Sequence, residues 1–189
     1  MFERCLQVKE FMASYEGKWM IAGGWAIDLH IGEETRDHED IEVAVFRDEQ
    51  NSLASLLADW DIYIANEGKK EKWHFDAPVE LPIHEIHASH QDGNQLEILL
   101  NERSKGRWRF RRDPELSFPL SMMNLQSEQG VPYLNPEIVL LYKAANTKEK
   151  DHDDFNYVFP HLNEHQKEWL KQALIQHAPN HSWLEALLY

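Results

Sequence analysis

The sequence predicts an α/β (α+β) fold in which a mixed β-sheet is flanked by helices. Three observations predict it. Apolar segments with strand and helix periodicity alternate early in the chain, strand-like segments then cluster up to about Phe110, and helical segments finish the chain after Pro136. The 189 residues are enough for a sizeable core. We expect a core at residues 1–134 and a helical segment at 135–189 that packs on it, forming one compact unit.

The elements can be placed in order from periodicity and from helix start signals. A helix is predicted from about Phe2 to Ser14, and an amphipathic helix at Glu49–Trp60. After Pro136, which takes the first position of a helix capped by Asn135, two or three helices are expected.

A strand, a tight turn and a helix are predicted around a glycine pair. The apolar run Met20–Ala22 ends at Gly23-Gly24, and helical spacing of apolar residues follows. Without a Cβ in the way, the backbone N–H groups of Gly23 and Gly24 can approach an anion, and the helix N-terminus adds partial positive charge. The turn would suit a triphosphate, although a glycine pair is more often only a turn.

Two carboxylates open the next predicted strand, Asp40–Phe46. Asp40 and Glu42 are two residues apart and therefore point to the same face, while Ile41 points to the other. Such a pair repels unless a cation lies between its members, and hard oxygen ligands at this spacing suit Mg²⁺. The alternative is a solvated strand edge.

The glycine pair and the carboxylates belong to one longer pattern. Its residues are Gly23-Gly24-Trp25-Ala26-Ile27-Asp28, Gly32, Thr35-Arg36, His38 and Asp40-Ile41-Glu42. The pattern resembles the nucleotidyltransferase superfamily, and within it the aminoglycoside 2''-adenylyltransferase and lincosamide nucleotidyltransferase-like proteins. The resemblance implies the nucleotidyltransferase fold and a metal-dependent enzyme. It would transfer a nucleoside monophosphate from an NTP, with ATP as the expected donor, to a hydroxyl of a small acceptor, releasing pyrophosphate.

The resemblance also implies the site residues. Relatives use a third carboxylate on a later strand as the base that deprotonates the acceptor, and Glu97 matches that position. Asp40, Glu42 and Glu97 would then be catalytic and would bind Mg²⁺ or Mn²⁺. Many relatives carry Asp at the second and third positions, where this chain has the longer Glu42 and Glu97, and Mg²⁺ requires near-ideal octahedral ligation.

Several other residues would contact the nucleotide. The resemblance assigns this role to Gly23, Gly24, Arg36, His38 and Lys143. Arg36 and His38 could instead brace the loop, and Lys143 could be a surface lysine.

Composition indicates the class of partner. The formal net charge of −14 disfavours broad nucleic-acid binding and favours a small cationic acceptor such as an aminoglycoside-like compound. Cys5 is the only cysteine, so no internal disulfide can form. Neither a signal peptide nor an apolar run long enough to cross a bilayer is apparent, so we expect a cytoplasmic protein without membrane contact.

Two charged segments have open roles. If the segment from Arg107 to Arg111 is a strand, Arg107, Arg109 and Arg111 share a face that could contact phosphates or remain solvated. Asp151 and Asp154 are expected in a solvated first turn of a helix.

Two other functions remain open. A toxin-type nucleotidyltransferase would modify tRNA or a protein, with the arginine row as a local RNA contact. A catalytically silent relative would keep the fold as a nucleotide-binding or interaction module.

Overall fold

The computed structural model describes residues 1–66 and 69–188. The strands in these residues are β1 (Trp19–Ile21), β2 (Glu42–Phe46), β3 (Asp61–Asn66), β4 (Lys69–Lys72), β5 (Glu85–Ser89), β6 (Gln95–Ser104), β7 (Arg107–Phe110), β8 (Asp113–Pro119), β9 (Asn124–Gln126) and β10 (Pro132–Leu134). The α-helices are α1 (Glu3–Phe11), α2 (Gly23–Ile31), α3 (Leu53–Leu56), α4 (Pro136–Ala144), α5 (Glu149–Val158), α6 (Glu164–His177) and α7 (Leu184–Leu188).

The strands form one mixed sheet. Its main order is β4-β3-β5-β6-β2-β1-β10-β9, and β7 pairs with the second half of β6 and with β8. β1 runs parallel to β10 and β2 runs parallel to β6, whereas the other pairs are antiparallel. The predicted mixed sheet flanked by helices is confirmed.

The centre of the sheet is buried because apolar side chains cover both of its faces. Val43, Ala44, Val45 and Phe46 of β2 are all buried. Beside the sheet, α2 packs against α4 and α5, and α4 packs against α6. These four helices therefore form one packed group. No described helix is both long and apolar enough to cross a membrane.

Three element predictions differ from the structure. The helix predicted at Glu49–Trp60 is instead a 3-10 helix, Arg47–Ser52, followed by the four-residue α3. Asn51 and Ser52 have weak helix propensity, and the buried Gln50 side chain bonds to the backbone of Val79. Strands continue beyond Phe110, as β8 to β10, and in the part of the chain that the structure describes four α-helices, rather than two or three, follow residue 135. β9, β10 and α7 are too short to show a clear period.

Candidate active site

The turn between β1 and α2 is built around a side chain of β2. Gly23 has a φ of +61°, in the left-handed region that favours glycine. A Cβ at Gly23 would overlap the Glu42 carboxylate. The backbone conformation therefore favours glycine here, and the missing Cβ lets the Glu42 carboxylate come close.

Gly24 likewise leaves room for the side chains of Arg36 and His38. A Cβ at this position would lie 2.5 Å from Arg36 Nη2 and 2.5 Å from His38 Cε1. The turn thus brings together four of the five residues predicted to contact the nucleotide: Gly23, Gly24, Arg36 and His38.

Glu42 and Glu97 are direct neighbours across the sheet. They are register partners in the parallel pair of β2 and β6, so their side chains project from the same face. The two residues are 55 positions apart in the sequence, and this one strand pairing brings them together. The structure thereby places the predicted base beside a predicted metal ligand.

Asp40 lies outside the strand in which it was predicted, because β2 begins at Glu42. The carbonyl oxygen of Asp40 accepts a hydrogen bond of 3.1 Å from the indole N–H of Trp25, which directs it away from strand pairing. The exposed Asp40 side chain nevertheless lines a cleft together with Glu97.

The electrostatic environment penalises the charge on both glutamates. Burial, followed by repulsion from Glu97, raises the pKa of Glu42 against the opposing effect of Lys143. Burial also raises the pKa of Glu97, and repulsion from Asp40 adds to it, while His87 opposes it. A proton or a cation would relieve this penalty.

The three carboxylates suit a hard divalent cation in donor chemistry, since all are oxygen ligands near one strand end. Their side chains do not converge, however. Glu42 turns toward Gly23, and Glu97 Oε1 lies 3.2 Å from His87 Nδ1. Among the described residues, no three His, Cys, Asp or Glu side chains form a group ready to hold a metal ion.

Lys143 enters the site from α4 and is held by two aspartates. Its Nζ lies 2.7 Å from Asp151 Oδ1 and 2.9 Å from Asp154 Oδ2. Burial alone would lower the pKa of Lys143, but the two carboxylates raise it above its usual value. The ammonium group is therefore held in its charged form at the wall of the cleft that contains Glu42.

Asp154 also anchors Arg36, so the expectation of a solvated helix start at this point is wrong. Arg36 donates two hydrogen bonds to Asp154, from Nε at 2.8 Å and from Nη2 at 3.0 Å. Asp154 and Asp151 are buried. The helix does begin here, but the Asp151 and Asp154 side chains contact Lys143 and Arg36 rather than water. We name Arg36, Lys143, Asp151 and Asp154 the ionic cluster.

Asp28 is a further residue to which the sequence pattern gave no role of its own. It is fully buried on α2, where its carboxylate accepts a 2.6 Å hydrogen bond from Thr35 Oγ1 and lies 2.6 Å from His38 Nε2. The His38 ring packs on Trp25, with the ring centroids 4.5 Å apart. A charged residue within an otherwise apolar helical segment was the signal that could have indicated this role.

The carboxylates line two neighbouring clefts. The first, of about 390 Å³, contains Gly23, Glu42 and Lys143 and is named the lysine cleft. The second, of about 350 Å³, contains Asp40, Glu97 and His87 and is named the base cleft. Sequence reasoning missed His87 as the neighbour of Glu97, although the two are register partners in β5 and β6.

The predicted arginine row does not form one surface. Arg107 donates to Ser117, and Arg109 donates to the carbonyl of Pro114. The register shifts at Arg109/Phe110, so β7 ends there and Arg111 enters the following turn. Arg111 lines the lysine cleft.

A mixed sheet with a glycine turn at a helix start and carboxylates on adjacent strands defines a nucleotidyltransferase-type fold. The chain belongs to the family described as Aminoglycoside-2''-adenylyltransferase, whose profile matches residues 4–160. The family predicted from the sequence is confirmed.

Solved structures show the same fold. The lincosamide antibiotic adenylyltransferase LnuA, solved with lincomycin bound, is 18% identical, covers 85% of this chain and 98% of its own, and has a TM-score of 0.61. ANT(2'')-Ia in complex with adenylyl-2''-tobramycin is 14% identical, covers 93% and 99%, and has a TM-score of 0.61. A solution structure of ANT(2'')-Ia gives 16% identity, 93% of each chain and a TM-score of 0.59. No curated protein sequence matches significantly.

Proposed function

We propose that the protein is a metal-dependent nucleotidyltransferase. It moves a nucleoside monophosphate from an NTP, with ATP as the expected donor, to a hydroxyl of a small acceptor, and pyrophosphate leaves. Family membership supports the class of enzyme. The observation that carries the proposal is the direct pairing of Glu42 with Glu97 beside the Gly23 turn and Lys143.

Glu97 is the proposed general base. It faces the base cleft, where an acceptor hydroxyl would have access to its carboxylate. Burial and the neighbouring carboxylates raise its pKa, and a base with a raised pKa holds an abstracted proton better.

Asp40, Glu42 and Glu97 are the residues that would hold Mg²⁺ or Mn²⁺. A bound dication supplies charge neutralisation for phosphoryl oxygens. Lys143, which lines the lysine cleft, uses its ammonium group to bind a phosphate, while Asp151 and Asp154 fix its position.

The acceptor is proposed to be a small hydroxyl compound. The structures of LnuA and ANT(2'')-Ia contain lincomycin and adenylyl-2''-tobramycin, respectively. The net charge of −14 favours a cationic acceptor of the aminoglycoside kind over a nucleic acid.

Pyrophosphate release tests the proposal. Each NTP would be supplied with Mg²⁺ and a panel of aminoglycosides and lincosamides, using the wild type and Asp40→Asn, Glu97→Gln and Glu39→Gln variants. We expect acceptor-dependent release that Asp40→Asn abolishes and Glu97→Gln lowers by about 10²–10⁴-fold, the usual contribution of a general base. The exposed neighbour Glu39 is the matched control, and its substitution should leave release unchanged.

Two results would contradict the proposal. If pyrophosphate release persists in Asp40→Asn, Asp40 does not take part in the reaction. Silence of the wild type with every acceptor would favour a macromolecular acceptor or a catalytically silent relative.

A further inference from the structure

Arg111 occupies a place that the strand period does not predict. It follows the register shift at the end of β7, in the two-residue turn before β8. This turn directs it into the lysine cleft instead of along the face of Arg107 and Arg109.

The guanidinium of Arg111 is half-buried and lacks a carboxylate partner. Its carbon lies 6.0 Å from the centroid of the Tyr142 ring, and within the described part of the chain no Asp or Glu forms an ion pair with it. Burial lowers its pKa and the neighbouring Arg112 adds to this, while Tyr142 and Glu85 oppose it. A buried cation without a counterion is costly unless a ligand supplies the anion.

The balance of charged residues in the lysine cleft differs from that of the whole protein. Four Lys and Arg residues face three Asp and Glu residues there, although the chain carries a net charge of −14. Asp151 is already paired with Lys143, and Glu85 lies 3.2 Å from His84. Among the described residues, the cations of this cleft that form no ion pair are Arg111, Arg112 and Lys148, and Arg112 Nη1 donates to the carbonyl of Tyr142.

We propose that Arg111 binds the pyrophosphate portion of the nucleotide. A planar guanidinium can contact two phosphate oxygens at once, and Lys143 supplies a second cation in the same cleft. Arg111 thereby stabilises the leaving group rather than the transferred nucleoside monophosphate. The assignment rests on the proposed nucleotidyl transfer, and it names the residue that recognises the donor's outer phosphates.

Equilibrium binding tests the assignment without turnover. Calorimetry would measure ATP, AMP and inorganic pyrophosphate, each with Mg²⁺, on the wild type and on Arg111→Gln, Arg111→Lys and Arg109→Gln variants. Hydrogen bonds between charged groups are worth about 1.5–3 kcal/mol, so Arg111→Gln should weaken ATP and pyrophosphate about 10- to 100-fold. AMP affinity should stay constant, and Arg111→Lys should recover part of the loss.

Arg109→Gln is the matched control, because Arg109 belongs to the same sequence row but bonds to Pro114. It should bind all three ligands like the wild type. Arg111→Gln should also melt at or above the wild-type temperature, since no ion pair among the described residues is lost.

The outcomes separate the two proposals. A wild type that binds neither ATP nor pyrophosphate would overturn the proposed function and this assignment with it. Wild-type binding that Arg111→Gln retains would overturn the assignment alone. Equal weakening by Arg109→Gln would also overturn it, because it would show a general charge effect.

Discussion

Two groups of acidic side chains flank the Gly23–Gly24 turn, and they differ in how far nearby cations neutralise their negative charge. Asp154 is fully buried, yet it contacts both Arg36 and Lys143 within 3.0 Å. Glu42 and Glu97 instead lie side by side, and burial together with repulsion from neighbouring carboxylates raises the pKa of each against the opposing effects of Lys143 and His87.

The difference distinguishes acids that stabilise the fold from acids that serve the proposed reaction. A carboxylate that the fold requires comes with its own cations, because an unpaired buried charge is strongly destabilising. The Glu42 and Glu97 pair lacks sufficient compensation and so creates a demand for a cation. The comparison predicts that removing charge destabilises the ionic cluster but stabilises the carboxylate pair.

The largest effect is expected from Asp154→Asn. Burial alone would raise the pKa of Asp154, but Arg36 and Lys143 hold it below its usual value. The substitution leaves both cations without their shared anion and turns one acceptor into a donor. We expect a loss of about 3–5 kcal/mol in the free energy of unfolding, measured with urea.

Asp153→Asn is the control for this prediction, because Asp153 is the exposed neighbour on the same helix. Its effect should stay within about 0.5 kcal/mol. Equal stability of the two variants would show that the ionic cluster does not hold α5 to the rest of the protein.

A second test uses a buried acid that lines neither cleft. Glu137 is 2% exposed, and its Oε2 has no hydrogen-bond partner among the described residues. Burial raises its pKa from 4.5 to about 7. Folded protein therefore keeps this proton up to about pH 7, whereas unfolded protein releases it above about pH 4.5.

The protonated Glu137 stabilises the folded protein less as the pH rises. The contribution of Glu137 is fully present below about pH 4.5 and is lost as the pH rises through about 7, because the unfolded state ionises first. Over that window the loss amounts to up to about 3 kcal/mol. Glu137→Gln should remove it, so the variant should gain stability over the wild type between pH 5 and pH 8. A constant difference across that range would refute the raised pKa.

Much of the fold was predictable because its signals are local. The glycine turn, the β-branched start of β2 and the Asn135-Pro136 helix start can each be recognised within a few residues. The pairing of Glu42 with Glu97 was not predictable from periodicity, because strand order is set by packing of the whole sheet.

The site was harder to predict where long-range contacts decide it. Asp154 is part of a charge run that is typical of a solvated helix, and its partner Arg36 is 118 residues away. Arg111 was grouped with Arg107 and Arg109 by a two-residue period, but one register shift ended that period. In both cases local pattern and tertiary environment point in different directions.

The smallest expected change in stability comes from Glu42→Gln, and it sharpens the comparison most. The amide keeps the size of the side chain and removes a charge that burial and Glu97 disfavour. We expect a gain of roughly 0.5–2 kcal/mol in the free energy of unfolding, as for other relieved functional sites. Pyrophosphate release should fall at least about 100-fold, since the proposed metal ligand is lost. Glu115→Gln, at an exposed position on β8, is the control and should change neither quantity. If Glu42→Gln instead destabilises the protein, the fold itself requires Glu42, as it requires Asp154.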